Sequence, residues 1–310
     1  MNGPERYSRR RFIKRTFGAA SVGIACPAFI PSTVLAGPGR AGANDRIGIG
    51  YIGAGRRANQ LMGLPADGQI VAVADFDLRR AKAVAAARKC RPFQDYRKLL
   101  ESTDVDAVFI ATPDHWHVPP ALEACLAGKD IYLEKPLSLT IREGRVLTEA
   151  VRKKGIVLQT GTQRRSMAGH RWGCELVRNG VAGKIHTVII QNYPSPWESS
   201  LPSQAVPTGL DWDRWCGMTD PVGYHDDIFV QRSNPGWISL RPYSGGEMTG
   251  TGAHGFDQIQ WALDMDHPGP VEVWREGGQL EPVLYTTSDA RTRGHRGTSH
   301  RARVRMRYAK

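Results

Sequence analysis

The stretch RIGIGYIGAGRRA, Arg46 to Ala58, decides how the rest of the chain is read. An apolar strand, RIGIGYI, runs into a turn of small residues and then into a helical pattern. Two glycine patterns overlap in it. Gly48, Gly50 and Gly53 spell GxGxxG, but they lie inside the strand and open no helix. Gly53, Gly55 and Ala58 repeat the spacing where strand becomes helix, and only this second pattern would turn backbone N–H groups and a helix N-terminus toward a pyrophosphate. The next strand, QIVAVAD, ends in Asp75, twenty-two residues after Gly53, where an acid can take the adenosine ribose hydroxyls. Gly53, Ala54, Gly55, Arg56, Arg57 and Asp75 are therefore expected to hold a dinucleotide. Asp75 favours NAD, because a carboxylate there repels a 2′-phosphate. Arg56, Arg57 and Arg79 could offset that repulsion, which leaves NADP open.

Outward from this stretch the pattern stays regular. Helix Arg56–Leu64 separates the first two strands. The helical LRRAKAVAAARK follows, then the strand VDAVFIA, helix Pro119–Ala127, strand DIYLE, helix Ile141–Lys153 and strand IVLQT. Strands apolar on both faces, alternating with helices, predict a parallel sheet covered on both sides, with ligands at the carboxyl ends of its strands. Lys135 follows one of those strands, beside Glu134 and before Pro136. Oxidising an alcohol needs a group that takes the hydroxyl proton, and a lysine can do so when desolvation or nearby positive charge lowers its pKa. Glu134 could pair with cofactor hydroxyls or tether a helix. His115 and His117, two apart in the loop after a strand, read as cofactor and substrate lining rather than a metal pair.

The chain resembles the Gfo/Idh/MocA family of NAD(P)-dependent oxidoreductases, which act mostly on sugars and polyols. More narrowly, it resembles the family's twin-arginine-exported branch. GYIGAGRRA, ATPDHWHVPPALEACLAGKDIYLEKPLS, QTGTQRRS, VPTGLDWDRWCG and GGEMTGTGAHGFDQIQWAL carry the likeness, across most of residues 45–265. The resemblance implies an α/β protein: an N-terminal Rossmann domain plus a C-terminal α/β domain with an open mixed sheet that covers the site and often mediates oligomers. It implies that Lys135 is the catalytic lysine and that Thr112, Pro113, His117, Glu134 and Gln163 lie along the nicotinamide half of the cofactor. His254 fits the family's active-site histidine and Asp257, one turn later, its following acid, which is either catalytic as well or turned toward core or backbone. Gly250 stands where the pattern places another acid, four residues before the histidine, so Lys135 and His254 are left to do the work.

The ends of the chain differ from its body. Net charge is +12, yet six Lys/Arg against one acid lie in residues 1–36 and eight Lys/Arg with no acid in residues 291–310. The body is near neutral, which argues against nucleic acid as a partner. Residues 1–36 read as a signal: charges from Arg6 to Arg15, an apolar stretch from Phe17 to about Leu35, and Val34-Leu35-Ala36 as a cleavage site. Ser8 to Lys14 fits the twin-arginine pattern. Export to the periplasm is therefore expected, with no stable membrane insertion after signal removal; a lipoprotein site at Cys26 is the weaker fit. Residues 37–44 read as a linker, 45–165 as the dinucleotide domain and 166–310 as the substrate and oligomerisation domain. The strand RVRMRY stops abruptly, as it would in a truncated second domain. Cys90, Cys125, Cys174 and Cys216 form no CxxC pair, so no metal site is expected. Tyr193, Trp197, Trp212, Trp215, Trp237 and Tyr243 suit a sugar-facing region, although such rings more often build core. The expectation is an exported oxidoreductase with tightly held NAD(P)(H) acting at a carbinol carbon of a sugar. The alternatives are an NAD-dependent glycosidase or epimerase working by transient oxidation, or a binding protein without turnover.

Overall fold

A computed structural model describes residues 42, 45–192, 197–230, 236–267, 269–277, 283–285 and 303–308. The expected signal and nearly all of the linker lie outside the described residues, as does Tyr193.

Six strands form the first sheet: β1 (Ile47–Ile52), β2 (Gly68–Ala74), β3 (Arg91–Phe93), β4 (Ala107–Ile110), β5 (Asp130–Leu133) and β6 (Leu158–Thr160). All pair in parallel, in the order β3-β2-β1-β4-β5-β6. This is the doubly wound arrangement, whose strand order reverses between β1 and β4 and opens a crevice at their carboxyl ends. Five helices accompany it: α1 (Arg56–Leu61), α2 (Leu78–Arg88), α3 (Tyr96–Leu100), α4 (Val118–Leu126) and α5 (Ile141–Lys154). Side chains alternate across the sheet, so Tyr51 and Val73 pack with Ala58, Val84 and Ala85 on one face. Ile52, Ala74, Val108 and Leu133 pack with Leu99, Ala121 and Leu147 on the other.

Local chemistry explains the boundaries. Asp77 caps α2 by accepting from the Arg79 N–H, and Thr140 with Glu143 forms a reciprocal capping box on α5. Gly155, at φ +67°, closes α5 in the left-handed conformation that favours glycine. Helix α1 stops at Leu61, three residues short of expectation, with Gly63 and Pro65 just beyond. Strand β3 and helix α3 were not anticipated. Three residues containing Pro92 carry too little pattern, and such a strand survives at a sheet edge because the proline owes no ladder hydrogen bond there.

The overlapping glycine patterns now separate physically. A Cβ on Gly48 would stand 1.9 Å from the Asp104 carbonyl oxygen, and one on Gly50 would stand 2.6 Å from Leu99 Cδ2. Those two glycines let the strand lie close against its neighbours. Gly53 has φ +97°, and a Cβ there would meet the Ala111 carbonyl oxygen at 2.6 Å.

Beyond β6 the chain forms α6 (Ala168–Arg178), α7 (Trp212–Cys216), α8 (Asp226–Phe229), α9 (Glu247–Gly250) and α10 (Gly252–Ala262). The expected open sheet is represented among the described residues by two ladders. Strand β7 (Trp197–Ser199) pairs in parallel with β9 (Val283–Tyr285), and β8 (Glu272–Glu276) pairs antiparallel with β10 (Arg303–Arg307). Residues 209–211 are sewn onto the turn between β2 and α2: Leu78 N–H donates to the Gly209 carbonyl and Asp211 N–H to that of Phe76. The aromatic residues behind them are core. Trp212 stacks on Trp215 at 4.5 Å and donates its indole N–H to the Val222 carbonyl, while Tyr224, Phe229 and Tyr243 close the cluster. Among the described residues no helix is long and apolar enough to cross a membrane.

Candidate active site

A cavity of about 780 Å³ opens at the carboxyl ends of β1, β2, β4 and β5 and is also lined by residues of the C-terminal half. The glycine loop, Asp75, Lys135 and His254 all line it, together with Trp215, Phe229 and Trp237. Its size lies within the range of small-molecule and cofactor pockets.

The loop after β1 is held from below. Gly53 N–H donates to the Ala74 carbonyl at 2.8 Å, and Ala54 N–H donates to Asp75 Oδ2 at 2.8 Å. Asp75 Oδ1 accepts from the Asp77 N–H, also at 2.8 Å. Asp75 therefore does more than await a ribose: it braces the glycine loop with one oxygen and its own turn with the other. Burial pushes its carboxyl above the usual carboxylate range, against these backbone hydrogen bonds. The Ala54 amide is thereby spent inside the protein, which corrects the expectation that it faces a phosphate. What remains for an anion is the first turn of α1, where Gly55 offers no side chain to cap the helix. A Cβ on Gly55 would meet nothing within 4 Å, so the loop's open side has room for a cofactor to approach the backbone.

Arg57, Glu134 and Gln163, far apart in sequence, form one cluster. The Arg57 guanidinium donates to Glu134 Oε1 at 2.7 Å and to Gln163 Oε1 at 2.8 Å. Glu134 is buried, and a Cβ on Gly161 would stand 2.9 Å from its Oε1. Of the two roles open to Glu134, tethering a helix is the one seen: it ties α1 to the end of β5. Arg79, by contrast, is spent on Asp77, its Nε and terminal nitrogen bonding Oδ1 and Oδ2 at 3.0 and 2.9 Å. Arg80, which sequence reasoning passed over, lines the cavity instead and lies 4.2 Å from the Phe229 ring centroid.

Both nitrogens of the buried His117 ring face backbone carbonyls: Nδ1 that of Pro136 at 2.5 Å, Nε2 that of Thr112 at 3.1 Å. His117 thus ties the loop after β4 to the loop after β5, while Thr112 Oγ1 donates to the Trp116 carbonyl. Thr112 and Pro113 line the cavity beside it. His115 turns elsewhere. Its Nε2 meets the Trp215 carbonyl at 2.8 Å, its buried Nδ1 has no partner, and burial pushes its pKa down to about 4. The two histidines do not converge, and among the described residues no three His, Cys, Asp or Glu side chains are placed to hold a metal ion.

Lys135 precedes a cis bond to Pro136, and its Nζ donates to the Gly250 carbonyl at 3.2 Å. The lysine is thereby directed to the junction of α9 and α10, whose first turn carries His254. Asp114 adjoins it and was not anticipated. Its side chain is buried at the cavity wall and accepts from Ser244 Oγ at 2.6 Å. Burial holds the Asp114 carboxyl above the usual range, opposed by His117, by that hydrogen bond and by Lys135. In folded protein it keeps its proton to higher pH than in unfolded chain, so its contribution is complete below the usual carboxylate pKa and is lost as pH rises through the raised value. Asp114→Asn should therefore melt higher than wild type near pH 8, with the difference shrinking toward pH 4. Thermal melts across that range check the sign.

Asp257 departs from expectation. It does not line the cavity; its two oxygens accept from Arg165 Nε at 2.9 and 3.0 Å, and Arg165 also bonds Asp266 at 2.6 Å. Donating to the Asp257 and Asp266 carboxylates raises the Arg165 pKa further. The next residue, Gln258, accepts from Arg164 at 2.9 Å. Helix α10 thus clamps the turn Gln163–Ser166 that presents Gln163. Asp257→Ala should cost about 1–2 kcal/mol of stability through the lost charged hydrogen bonds. It should leave the chemical step within a few-fold, as urea unfolding and single-turnover kinetics would show.

The fold, the glycine loop and the acid ending β2 define a dinucleotide-binding Rossmann protein. Two family models match: the "Oxidoreductase family, NAD-binding Rossmann fold" of Gfo/Idh/MocA proteins over residues 47–162, and the "Oxidoreductase family, C-terminal alpha/beta domain" over residues 176–286. The chain belongs to the Gfo/Idh/MocA oxidoreductase family. It is 36% identical over 147 residues to the inositol 2-dehydrogenase of Rubrobacter xylanophilus, covering 46% of this chain and 42% of that one. It is 34% identical over 157 residues to the uncharacterized oxidoreductase YrbE of Bacillus subtilis, covering 49% and 46%. The chain therefore spans less than half the length of these curated relatives. The WlbA dehydrogenase of Bordetella pertussis, solved with NADH and UDP-GlcNAcA, shares the fold, with a TM-score of 0.53 and 21% identity over 76% of this chain and 64% of that one.

Proposed function

We propose that the protein is an NAD(P)-dependent oxidoreductase that interconverts a carbinol and a carbonyl on a sugar or polyol, with Lys135 as its acid/base. The observation that carries this reading is Lys135 and His254 lining one cavity with the glycine loop and Asp75. When bound, the nicotinamide supplies the acceptor for the carbinol hydride, or the donor in reverse. Lys135 takes the hydroxyl proton in oxidation and returns it in reduction. His254 assists from the first turn of α10. The Arg57–Glu134–Gln163 cluster fixes the two loops between which the ring would lie, and Asp75 has remaining lone pairs for ribose hydroxyls. Arg80, a cation lining the cavity, keeps NADP alongside NAD as a candidate.

Trp215, Phe229 and Trp237 line the cavity beside the glycine loop, and a cofactor that stays bound through the catalytic cycle suits an exported protein, which meets no free nicotinamide pool. A retained cofactor also suits a second reading, in which a sugar is oxidised, altered at a neighbouring carbon and reduced again in place. Mass spectrometry of the purified protein, followed by absorbance at 340 nm with a panel of sugars and inositols, tests the proposal. Bound nucleotide and substrate-dependent reduction support it; a protein that neither carries nor takes up a dinucleotide contradicts it. Recovery of deuterium-exchanged sugar without net reduction points to the second reading.

The proposal includes export, supported by the twin-arginine pattern at Ser8–Lys14 and the apolar stretch behind it. Replacing Arg9 and Arg10 by lysine should retain the protein in the cytoplasm, and unchanged fractionation would count against that route. Self-association through the C-terminal strands is supported by Val273 and Trp274, which stand exposed on β8. A monomeric mass in solution would count against it.

A further inference from the structure

Gly250 removes an acid from the neighbourhood of Lys135, yet that neighbourhood is not poor in negative charge. Glu247, three residues earlier and at the start of α9, is only 5% exposed. Residues three apart on a helix share a face, and the distances agree. A Cβ built on Gly250 would stand 3.5 Å from Glu247 Oε2. The same oxygen accepts from Thr251 Oγ1 at 2.5 Å. Lys135 Nζ donates to the carbonyl of Gly250 itself at 3.2 Å. The Glu247 carboxylate, the lysine's anchor and the space a side chain at 250 would fill thus lie within one helical turn. A carboxylate buried this deeply persists only where cations or donors compensate it.

We propose that Glu247 is a positioning residue for Lys135, supplying from one turn earlier the negative charge that glycine at 250 withholds. The inference rests on the reading of Lys135 as the acid/base. It makes positions 247 and 250 alternatives, not partners. An acid added at 250 would bring a second carboxylate against Glu247, and two carboxylates sharing a site oppose each other's ionisation. Gly250→Asp is then no restoration of a missing group. The titratable groups around Lys135 are Asp114 and His117 from the loop after β4, Glu134 just beyond β5, Glu247 from α9 and His254 from α10. Lys135 and Glu247 each act on the Asp114 carboxyl, Lys135 lowering its pKa and Glu247 raising it.

Competitive labelling with acetic anhydride between pH 6 and 11, read by mass spectrometry of the Lys135 peptide, gives the titration midpoint of the Nζ without any substrate. Glu247→Gln keeps the shape and an acceptor for Thr251 but removes the charge, and should lower the midpoint by about one unit. Glu247→Asp keeps the charge and should shift it less. In Glu247→Gln/Gly250→Asp the midpoint should return toward wild type, while Gly250→Asp alone should melt lower than that double variant. A midpoint unmoved by Glu247→Gln, or a Gly250→Asp effect that is the same with and without Glu247, overturns the inference. Lys135→Met keeps the two ideas apart. If it turns over a responding sugar or inositol as fast as wild type, the acid/base reading fails, whatever labelling says of Glu247.

Discussion

Lys135→Ala should lower the rate of hydride transfer about 10²–10⁴-fold, the usual worth of a positioned acid/base, while changing dinucleotide affinity little. The asymmetry follows from where the side chain lies. Its amine reaches across the cavity to the carbonyl of Gly250, away from the glycine loop and Asp75. Truncation removes a proton carrier and one hydrogen bond to a backbone oxygen, and it leaves the Arg57–Glu134–Gln163 cluster and the His117 ties in place. Single-turnover absorbance at 340 nm reports the chemical step, and nicotinamide fluorescence reports binding. Equal losses in both would mean that the lysine holds the cofactor and does not serve the chemistry.

The second large effect concerns Gly53. Gly53→Ala should cost about 1–3 kcal/mol from backbone strain alone and should also abolish measurable dinucleotide binding. At φ +97° an L-side chain is strained whatever space surrounds it, and here its Cβ would stand 2.6 Å from the Ala111 carbonyl oxygen, in backbone that belongs to the neighbouring strand's exit. Relief requires β1 and β4 to part at their carboxyl ends, which is where the crevice is built. Gly55→Ala is the contrasting control. Its Cβ meets no protein atom within 4 Å, so folding should be nearly untouched while cofactor approach suffers. Thermal melts with and without NAD separate the two. A Gly53→Ala protein that binds NAD normally would mean that the loop does not set the site.

These contrasts also show what a sequence carries and what it withholds. The second glycine pattern was legible because strand, turn and helix are local, and so was Lys135 at the end of an apolar run. Which glycine does which job was not. Gly48 and Gly50 are small because of Asp104 and Leu99, half a domain away in sequence, and only packing reveals it. Asp257 was misjudged for the same reason: its partner, Arg165, lies 92 residues earlier, and a helix periodicity cannot tell a carboxylate facing a cavity from one facing a guanidinium. Asp114 was hidden in plain view between the cavity wall and Ser244, a contact spanning 130 residues. Glu247 was quoted in its motif, yet its meaning depends on where Lys135 ends. Local signals gave the sheet and the cofactor loop; long-range pairings decided which charged groups serve the site and which serve the scaffold.

The most direct test is a crystal structure of the protein with NAD and a polyol that it turns over. Lys135 Nζ should lie within about 3 Å of the hydroxyl on the carbon that faces the nicotinamide, with Glu134 still bonded to Arg57. A nicotinamide ring lying outside the cavity, or a Lys135 amine turned into solvent with the substrate bound, would contradict it.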